Sequence, residues 1–139
     1  MASRFLLASI SLALLCSCPV FVESDLRADA QAVIQQAEAA TKDVIKVVKS
    51  VETGGNKGIV ETCIETSEGA IDNLQDSKEL LKARDQASIE TLRARAAGAL
   101  TDVGTCDDEF GDSEPAQVTA ATKKAQDLIS QLLVIVNKL

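Results

Sequence analysis

The chain has 139 residues, a net charge of −7, and no histidine, tyrosine or tryptophan. This length suits one domain with a single core, and the acidic charge argues against nucleic acid or anionic membranes as partners and favours a basic protein. Without histidine the chain lacks the usual general base at neutral pH and the commonest metal ligand, so we predict no enzyme activity, cofactor or metal site.

The N-terminus has the organisation of a secretory signal peptide. Met1–Arg4 is a short basic start, and Phe5–Leu15 is an apolar run of secretory length. A transmembrane helix needs about 20 residues, so this run is too short to span a bilayer. We therefore predict a signal peptide over residues 1–24, cleaved after Ser24, and a soluble extracellular domain over residues 25–139.

Periodicity of apolar residues predicts two long helices in the first part of this domain. The first covers about residues 25–51 and ends at Gly54-Gly55-Asn56, because glycine commonly follows the last helical turn. The second covers about residues 57–83. The apolar stripe of the first helix comprises Leu26, Ala30, Val33, Ala37, Ala40, Val44, Val47 and Val51. That of the second comprises Ile59, Cys63, Thr66, Ala70, Leu74, Ser77 and Leu81.

Two further helices follow. The third begins near residue 85, with Asp85 or Ser88 as its N-cap, and continues to Phe110. The fourth follows the turn at residues 111–115, with Ser113 as its N-cap, and runs to about residue 137. The third stripe comprises Ile89, Leu92, Ala96, Ala99, Val103, Cys106 and Phe110. The fourth comprises Val118, Ala121, Ala125, Leu128, Leu132, Ile135 and Leu139.

These four helices predict an all-α fold. The connections are short, which forces consecutive helices to lie antiparallel. No segment alternates with a period of two, so no strands are expected. The predicted architecture is an up-down-up-down four-helix bundle.

Beyond the signal peptide the chain has only two cysteines, Cys63 and Cys106, and each lies inside an amphipathic helical stretch. An oxidising compartment favours their pairing, so a disulfide between the second and third helices is predicted. Two buried free thiols are the alternative.

The tetrapeptide at residues 15–18 resembles a bacterial lipoprotein box only weakly, because its second position is a cysteine.

An acidic ridge follows one flank of the second helix. Glu65, Asp72 and Glu79 are spaced by seven residues, Asp76 lies one turn from Asp72, and Gly69 forms a notch between them. This ridge is a candidate binding surface, although such rows are usually just the solvated side of a helix. A second acidic cluster follows Cys106, but its spacing does not match a calcium loop.

Two motifs are centred on the cysteines. In the first, Cys precedes Ala-Ile-Asp-x-Leu, and in the second a run of small residues ending in Leu precedes Thr-Cys-x-Asp-x-Phe. The first is met by Cys63, Ala70, Ile71, Asp72 and Leu74, and the second by residues 96–100, Thr105, Cys106, Asp108 and Phe110. With these motifs the chain resembles the plant invertase and pectin methylesterase inhibitor family over about residues 25–139.

The resemblance implies a secreted four-helix bundle, stapled between helices two and three, that inhibits a cell-wall enzyme in the apoplast. In members that resemble esterase inhibitors, the second to fourth helices cover the substrate cleft of the enzyme in a one-to-one complex. Carried over by position, the partner contacts are Glu65, Asp72, Thr105 and Asp108. Gly69 stands where the family has a further acidic contact.

Two departures from the family pattern bear on the target. Residues 82–89 lack the Pro-Lys-Phe that is common in invertase inhibitors, which favours pectin methylesterase as the partner over acid invertase. The small N-terminal helical hairpin of the family, closed by its own disulfide, is missing or reduced here. The alternatives are therefore an inhibitor of acid invertase, or a degenerate bundle that inhibits nothing.

Overall fold

The computed structural model describes residues 19–139, with side chains from Val22 onward. It contains four helices: α1 is Pro19–Ser50, α2 is Lys57–Leu80, α3 is Gln86–Phe110 and α4 is Ala116–Val136. This stretch contains no strand, which confirms the all-α prediction. Nowhere in residues 19–139 is a helix both long enough and apolar enough to cross a membrane.

Each helix packs against two neighbours. α1 contacts α2 and α4, and α3 contacts the same two helices. Because the connections are short, consecutive helices run in opposite directions. The up-down-up-down four-helix bundle is therefore confirmed. In this arrangement the α2–α3 side of the bundle lies opposite the α1–α4 side.

α1 begins about six residues earlier than predicted, at Pro19. Its first turns are tied to the rest of the bundle by Arg27, whose Nη1 donates to the carbonyl oxygens of Leu81 at 2.6 Å and Ala83 at 2.9 Å. Glu23 Oε1 accepts from Arg27 Nη2 at 2.9 Å. The guanidinium thus caps carbonyls at the end of α2. Residues 1–18 of the predicted signal peptide lie outside the described residues.

The core combines small and large apolar residues. All seven residues of the stripe predicted for α3 are buried. In the other helices part of the stripe is displaced by one position, as with Val48, Ser67 and Ile129, which are buried where Val47, Thr66 and Leu128 were expected. A straight helix has 3.6 residues per turn and drifts by about 20° per seven residues, so the buried face moves off a strict heptad pattern.

The predicted caps have different outcomes. Asp85 is the N-cap of α3 and accepts from Ser88 N at 2.9 Å, as predicted. The bonds from Ser88 also lower the pKa of Asp85 below its usual range. The prediction for Ser113 is wrong, because Ser113 lies in a 3-10 turn and donates to Phe110 O at 2.7 Å, while Pro115 stands at the N-cap of α4.

Candidate partner-binding face

The disulfide between Cys63 and Cys106 joins α2 to α3, as predicted. Both residues are fully buried, and their Cα atoms lie 4.7 Å apart. The alternative of two free thiols is therefore wrong. Crosslinking residues 43 positions apart restricts the unfolded chain, and it holds the two helices together near one end of their contact.

Polar contacts also join α2 to α3 further along. Asn73 Nδ2 donates to Asp102 Oδ2 at 3.0 Å, and Arg95 Nε lies 3.4 Å from Asp76 Oδ2. Together with the disulfide, these contacts align the antiparallel helices over more than three turns. The outer surface of α2 and α3 is therefore a rigid surface.

This register places the four predicted contact residues on one surface, which we name the α2–α3 face. Glu65 lies at the level of Thr105, Asp108 lies one turn further along α3, and Asp72 lies about 10 Å from Glu65 along the α2 axis. The three carboxylates are exposed and Thr105 is half-buried. The Thr105 hydroxyl donates to Thr101 O at 3.0 Å, so its oxygen is available to accept a hydrogen bond from a partner.

The notch predicted at Gly69 is not empty. A Cβ on Gly69 would lie 3.4 Å from Asp102 Oδ2, so the carboxylate of α3 occupies the space beside this glycine. Gly98 makes room for Asn73 in the same way, with 3.2 Å between its hypothetical Cβ and Asn73 Nδ2. Sequence reasoning missed both Asn73 and Asp102. The signal that could have indicated them is that each of the two neighbouring helices has a glycine where a polar side chain of the other helix needs room.

The acidic ridge is also less uniform than the sequence suggested. Asp76 is paired with Arg95, and Lys82 Nζ donates to Glu79 Oε2 at 2.7 Å. This bond lowers the pKa of Glu79 below its usual range. Glu65 and Asp72 have no cation within 4.0 Å in residues 22–139. The part of the ridge near the disulfide is therefore the part whose charge is uncompensated.

The charge of the chain is concentrated in this half of the bundle. Residues 57–112 contain 13 aspartates and glutamates but only six lysines and arginines, a net charge of −7. This equals the net charge of the whole chain, so the residues outside this range have no net charge. A basic surface approaching the bundle is attracted to the α2–α3 half.

A partly buried carboxyl pair lies where α3 meets α4. Gln126 Nε2 donates to Asp107 Oδ2 at 2.5 Å, and Thr119 Oγ1 donates to Glu114 Oε2 at 2.7 Å. The other oxygen of each carboxyl group is buried without a hydrogen-bond partner. Burial raises the pKa of Glu114, the bond from Thr119 opposes this, and the neighbouring Asp107 raises the pKa further. A proton held by Glu114 gives its carboxyl group a donor towards Asp107, which would satisfy the orphaned oxygen of Glu114.

Glu114 makes the stability of the bundle depend on pH. Because its pKa in the folded chain lies above its ordinary value of 4.5, the folded state holds this proton more tightly than the unfolded chain does. The resulting stabilisation is complete below the ordinary pKa and is lost as the pH rises through the folded value. We expect urea unfolding at a series of pH values, from about 4 to 7, to show this loss.

Glu114→Gln is the matched variant for that measurement. A glutamine amide does not titrate, and it still accepts from Thr119 and donates towards Asp107. The contributions of carboxylates that do not interact with Glu114 cancel when the variant is compared with the parent. We expect the difference in unfolding free energy to move in favour of the variant as the pH rises. A difference that stays constant over the range would contradict the assignment.

A groove of about 670 Å³ runs between α1 and α4, on the opposite side of the bundle. Its lining is mostly alanine and polar side chains and includes none of the four predicted contact residues. Within residues 19–139 no group of three or more potential ligands is arranged to hold a metal ion. The α2–α3 face therefore holds the four predicted contact residues and lies in the acidic half of the bundle, above the buried crosslink.

The sequence and the structure are both similar to those of known plant inhibitor proteins. The family model described as plant invertase/pectin methylesterase inhibitor matches residues 17–136. A pectinesterase inhibitor from Actinidia deliciosa is 34% identical over 137 residues, which is 94% of this chain and 72% of that protein. The crystal structure of a pectin methylesterase inhibitor from Arabidopsis thaliana has a TM-score of 0.72 and 23% identity, covering 88% of this chain and 87% of that chain. The crystal structure of a mutant form of a pectin methylesterase inhibitor from Arabidopsis gives the same values.

Proposed function

Because the chain belongs to the plant invertase/pectin methylesterase inhibitor family, we propose that it is a secreted inhibitor of cell-wall pectin methylesterase. It acts by binding and not by catalysis. The relative from Actinidia is named a pectinesterase inhibitor, which favours the esterase over acid invertase as the target. The absence of Pro-Lys-Phe at residues 82–89 supports the same choice.

The observation that carries this proposal is the α2–α3 face. A buried disulfide and interhelical polar contacts hold this face rigid, so little conformational entropy is lost when it binds. Its uncompensated acidic residues, Glu65 and Asp72 among them, suit a basic surface on the partner enzyme. We propose that the bundle occludes the cleft in a one-to-one complex, and that Glu65, Asp72, Thr105 and Asp108 set the register of docking.

The experiment that tests this proposal is a parallel titration of two enzymes. The purified secreted chain is titrated against a plant pectin methylesterase and an acid invertase, and the complex is analysed by size-exclusion chromatography with light scattering. We expect the esterase to lose activity at one equivalent and the invertase to be unaffected. Inhibition of the invertase alone would assign the other function of the family. Inhibition of neither enzyme would favour a degenerate, non-inhibitory bundle.

Secretion to the apoplast is part of the proposal and rests on the apolar run at residues 5–15 and on family membership. The cleavage site after Ser24 has its own test, because intact mass of the secreted chain gives the first residue directly. Cleavage there removes Glu23 from its contact with Arg27 and leaves the bonds from Arg27 to Leu81 and Ala83 in place. A mature chain that retains Glu23 would overturn this cleavage site but not the inhibitor function.

A further inference from the structure

Asp102 differs from the other acidic residues of the α2–α3 face in its surroundings. It is half-buried between α2 and α3, whereas Glu65, Asp72 and Asp108 are exposed. Its Oδ2 accepts from Asn73 Nδ2 at 3.0 Å and lies 3.4 Å from the position that a Cβ on Gly69 would take. One carboxylate oxygen is thus fixed, and the side chain is held in a single orientation.

Among the described residues Asp102 has no direct ion-pair partner, and Arg95 reaches only the other side of Asn73, where it donates to Oδ1 at 3.3 Å. No lysine or arginine nitrogen lies within 4.0 Å of its carboxylate in the part of the chain from residue 22 onward. Asp76 provides the contrast, because it lies on the same α2–α3 boundary about two turns away and is paired with Arg95 at 3.4 Å. The boundary therefore has one neutralised carboxylate and one held open towards solvent.

Position adds to this difference. Along the bundle axis Asp102 lies level with Gly69, between the levels of Glu65 and Asp72. Because Gly69 has no side chain, nothing at that position covers the Asp102 carboxylate. A cationic side chain of a partner can therefore approach it over Gly69. A fixed and partly desolvated carboxylate gains more from an incoming cation than a mobile exposed one, because less side-chain entropy is lost and solvent screens the pair less.

We propose that Asp102 is the principal acidic contact of the α2–α3 face and binds a lysine or arginine side chain of the inhibited enzyme over Gly69. This inference rests on the proposed inhibitor function and adds a specificity-determining residue to it. Asn73 positions the carboxylate, and the exposed residues Glu65 and Asp72 flank the incoming cation on either side. Asp102 should therefore contribute more to inhibition than either flanking residue.

The test compares single isosteric substitutions in the full secreted chain. Asp102→Asn retains the size of the side chain and an oxygen that accepts from Asn73, and it removes only the charge. Asp127→Asn is the matched control, because it makes the same charge change at a carboxylate paired with Lys123 on the α1–α4 side of the bundle. Glu65→Gln and Asp72→Asn show whether the flanking carboxylates contribute less to inhibition than Asp102 does. The readouts are the inhibition constant for pectin methylesterase at two salt concentrations and the melting temperature.

We expect Asp102→Asn to raise the inhibition constant by on the order of tenfold or more and to weaken its dependence on salt. Asp127→Asn should change the constant by less than about twofold, and each flanking substitution by less than about fivefold. Melting temperatures close to that of the parent would exclude a folding defect. A loss of inhibition that only follows a lower melting temperature would overturn the contact role.

Two results separate this inference from the proposed function. If the parent inhibits the esterase and Asp102→Asn inhibits it equally well, the inference is wrong and the inhibitor function stands. If the parent inhibits no pectin methylesterase, both are overturned. A flanking substitution with a larger effect than Asp102→Asn would also contradict the inference, because it would place the principal contact at an exposed residue.

Discussion

Replacing Cys63 and Cys106 together by alanine should lower the free energy of unfolding by about 2–4 kcal/mol. In the chain-entropy model, closing a loop across a separation of 43 residues is worth about 4 kcal/mol, and strain in the folded state reduces this value. Small domains have a total stability of only about 5–15 kcal/mol, so the loss is a large fraction of the total. Urea unfolding of parent and variant, monitored by circular dichroism, measures the difference.

Ser67→Ala is the matched control for the disulfide variant. Ser67 lies one turn from Cys63 on α2, is fully buried, and its hydroxyl has no hydrogen-bond partner. Removing a buried unsatisfied hydroxyl is neutral or stabilising, so this variant should not lose stability. An unfolding free energy that is equal in the cysteine variant and the parent would contradict the stabilising role of the crosslink. Peptide mapping without reduction independently checks the pairing.

The disulfide also bears on function, because it sets the register of the α2–α3 face. Without it, the remaining polar contacts between the outer sides of α2 and α3 in residues 22–139 join Asn73 to Asp102 and Arg95 to both Asn73 and Asp76. All of them involve partly or fully exposed side chains, and contacts of this kind contribute little to stability. We therefore attribute the alignment of Glu65 with Thr105 chiefly to the crosslink and to the packed core.

The sequence predicts the helices well because their apolar residues recur at helical spacing. The prediction for α3 is right at every position of its apolar stripe. Small residues in this stripe let α3 pack closely against both neighbouring helices, so one face stays buried along the whole helix. In α4 the prediction takes Ala121, Leu128 and Ile135 as core, whereas Thr122, Ile129 and Val136 are buried. Apolar residues are so dense in this helix that periodicity alone gives two neighbouring faces equal weight.

The candidate site is less predictable than the fold. A single sequence reveals Glu65 and Asp72 because they lie on one helix at a spacing of seven residues. The neighbourhood of Gly69 and Asp102 depends on how α2 and α3 are aligned, and periodicity within one helix carries no information about that alignment. The same holds for Glu114, whose raised pKa comes from burial and from Asp107 across a chain turn.

Charge reversal at two contact positions is the change with the largest expected effect on inhibition. Asp72→Lys and Asp108→Lys, combined in one variant, should weaken inhibition of pectin methylesterase by on the order of 100-fold. Each lysine replaces an attraction to a basic partner by repulsion, and like charges brought together at an interface cost several kcal/mol. Titration of the esterase with parent and variant measures the loss.

Folding should be unaffected by this double reversal. Both side chains are exposed, and substitutions at such positions usually change stability by less than about 0.5 kcal/mol. Glu90→Lys is the control, because Glu90 is an exposed residue of α3 at the end of the helix far from Cys106. Its reversal alters the overall charge in the same direction and leaves the α2–α3 face near the disulfide unchanged. If the double variant and the control inhibit as well as the parent does, Asp72 and Asp108 are not contacts and the docking surface lies elsewhere on the bundle.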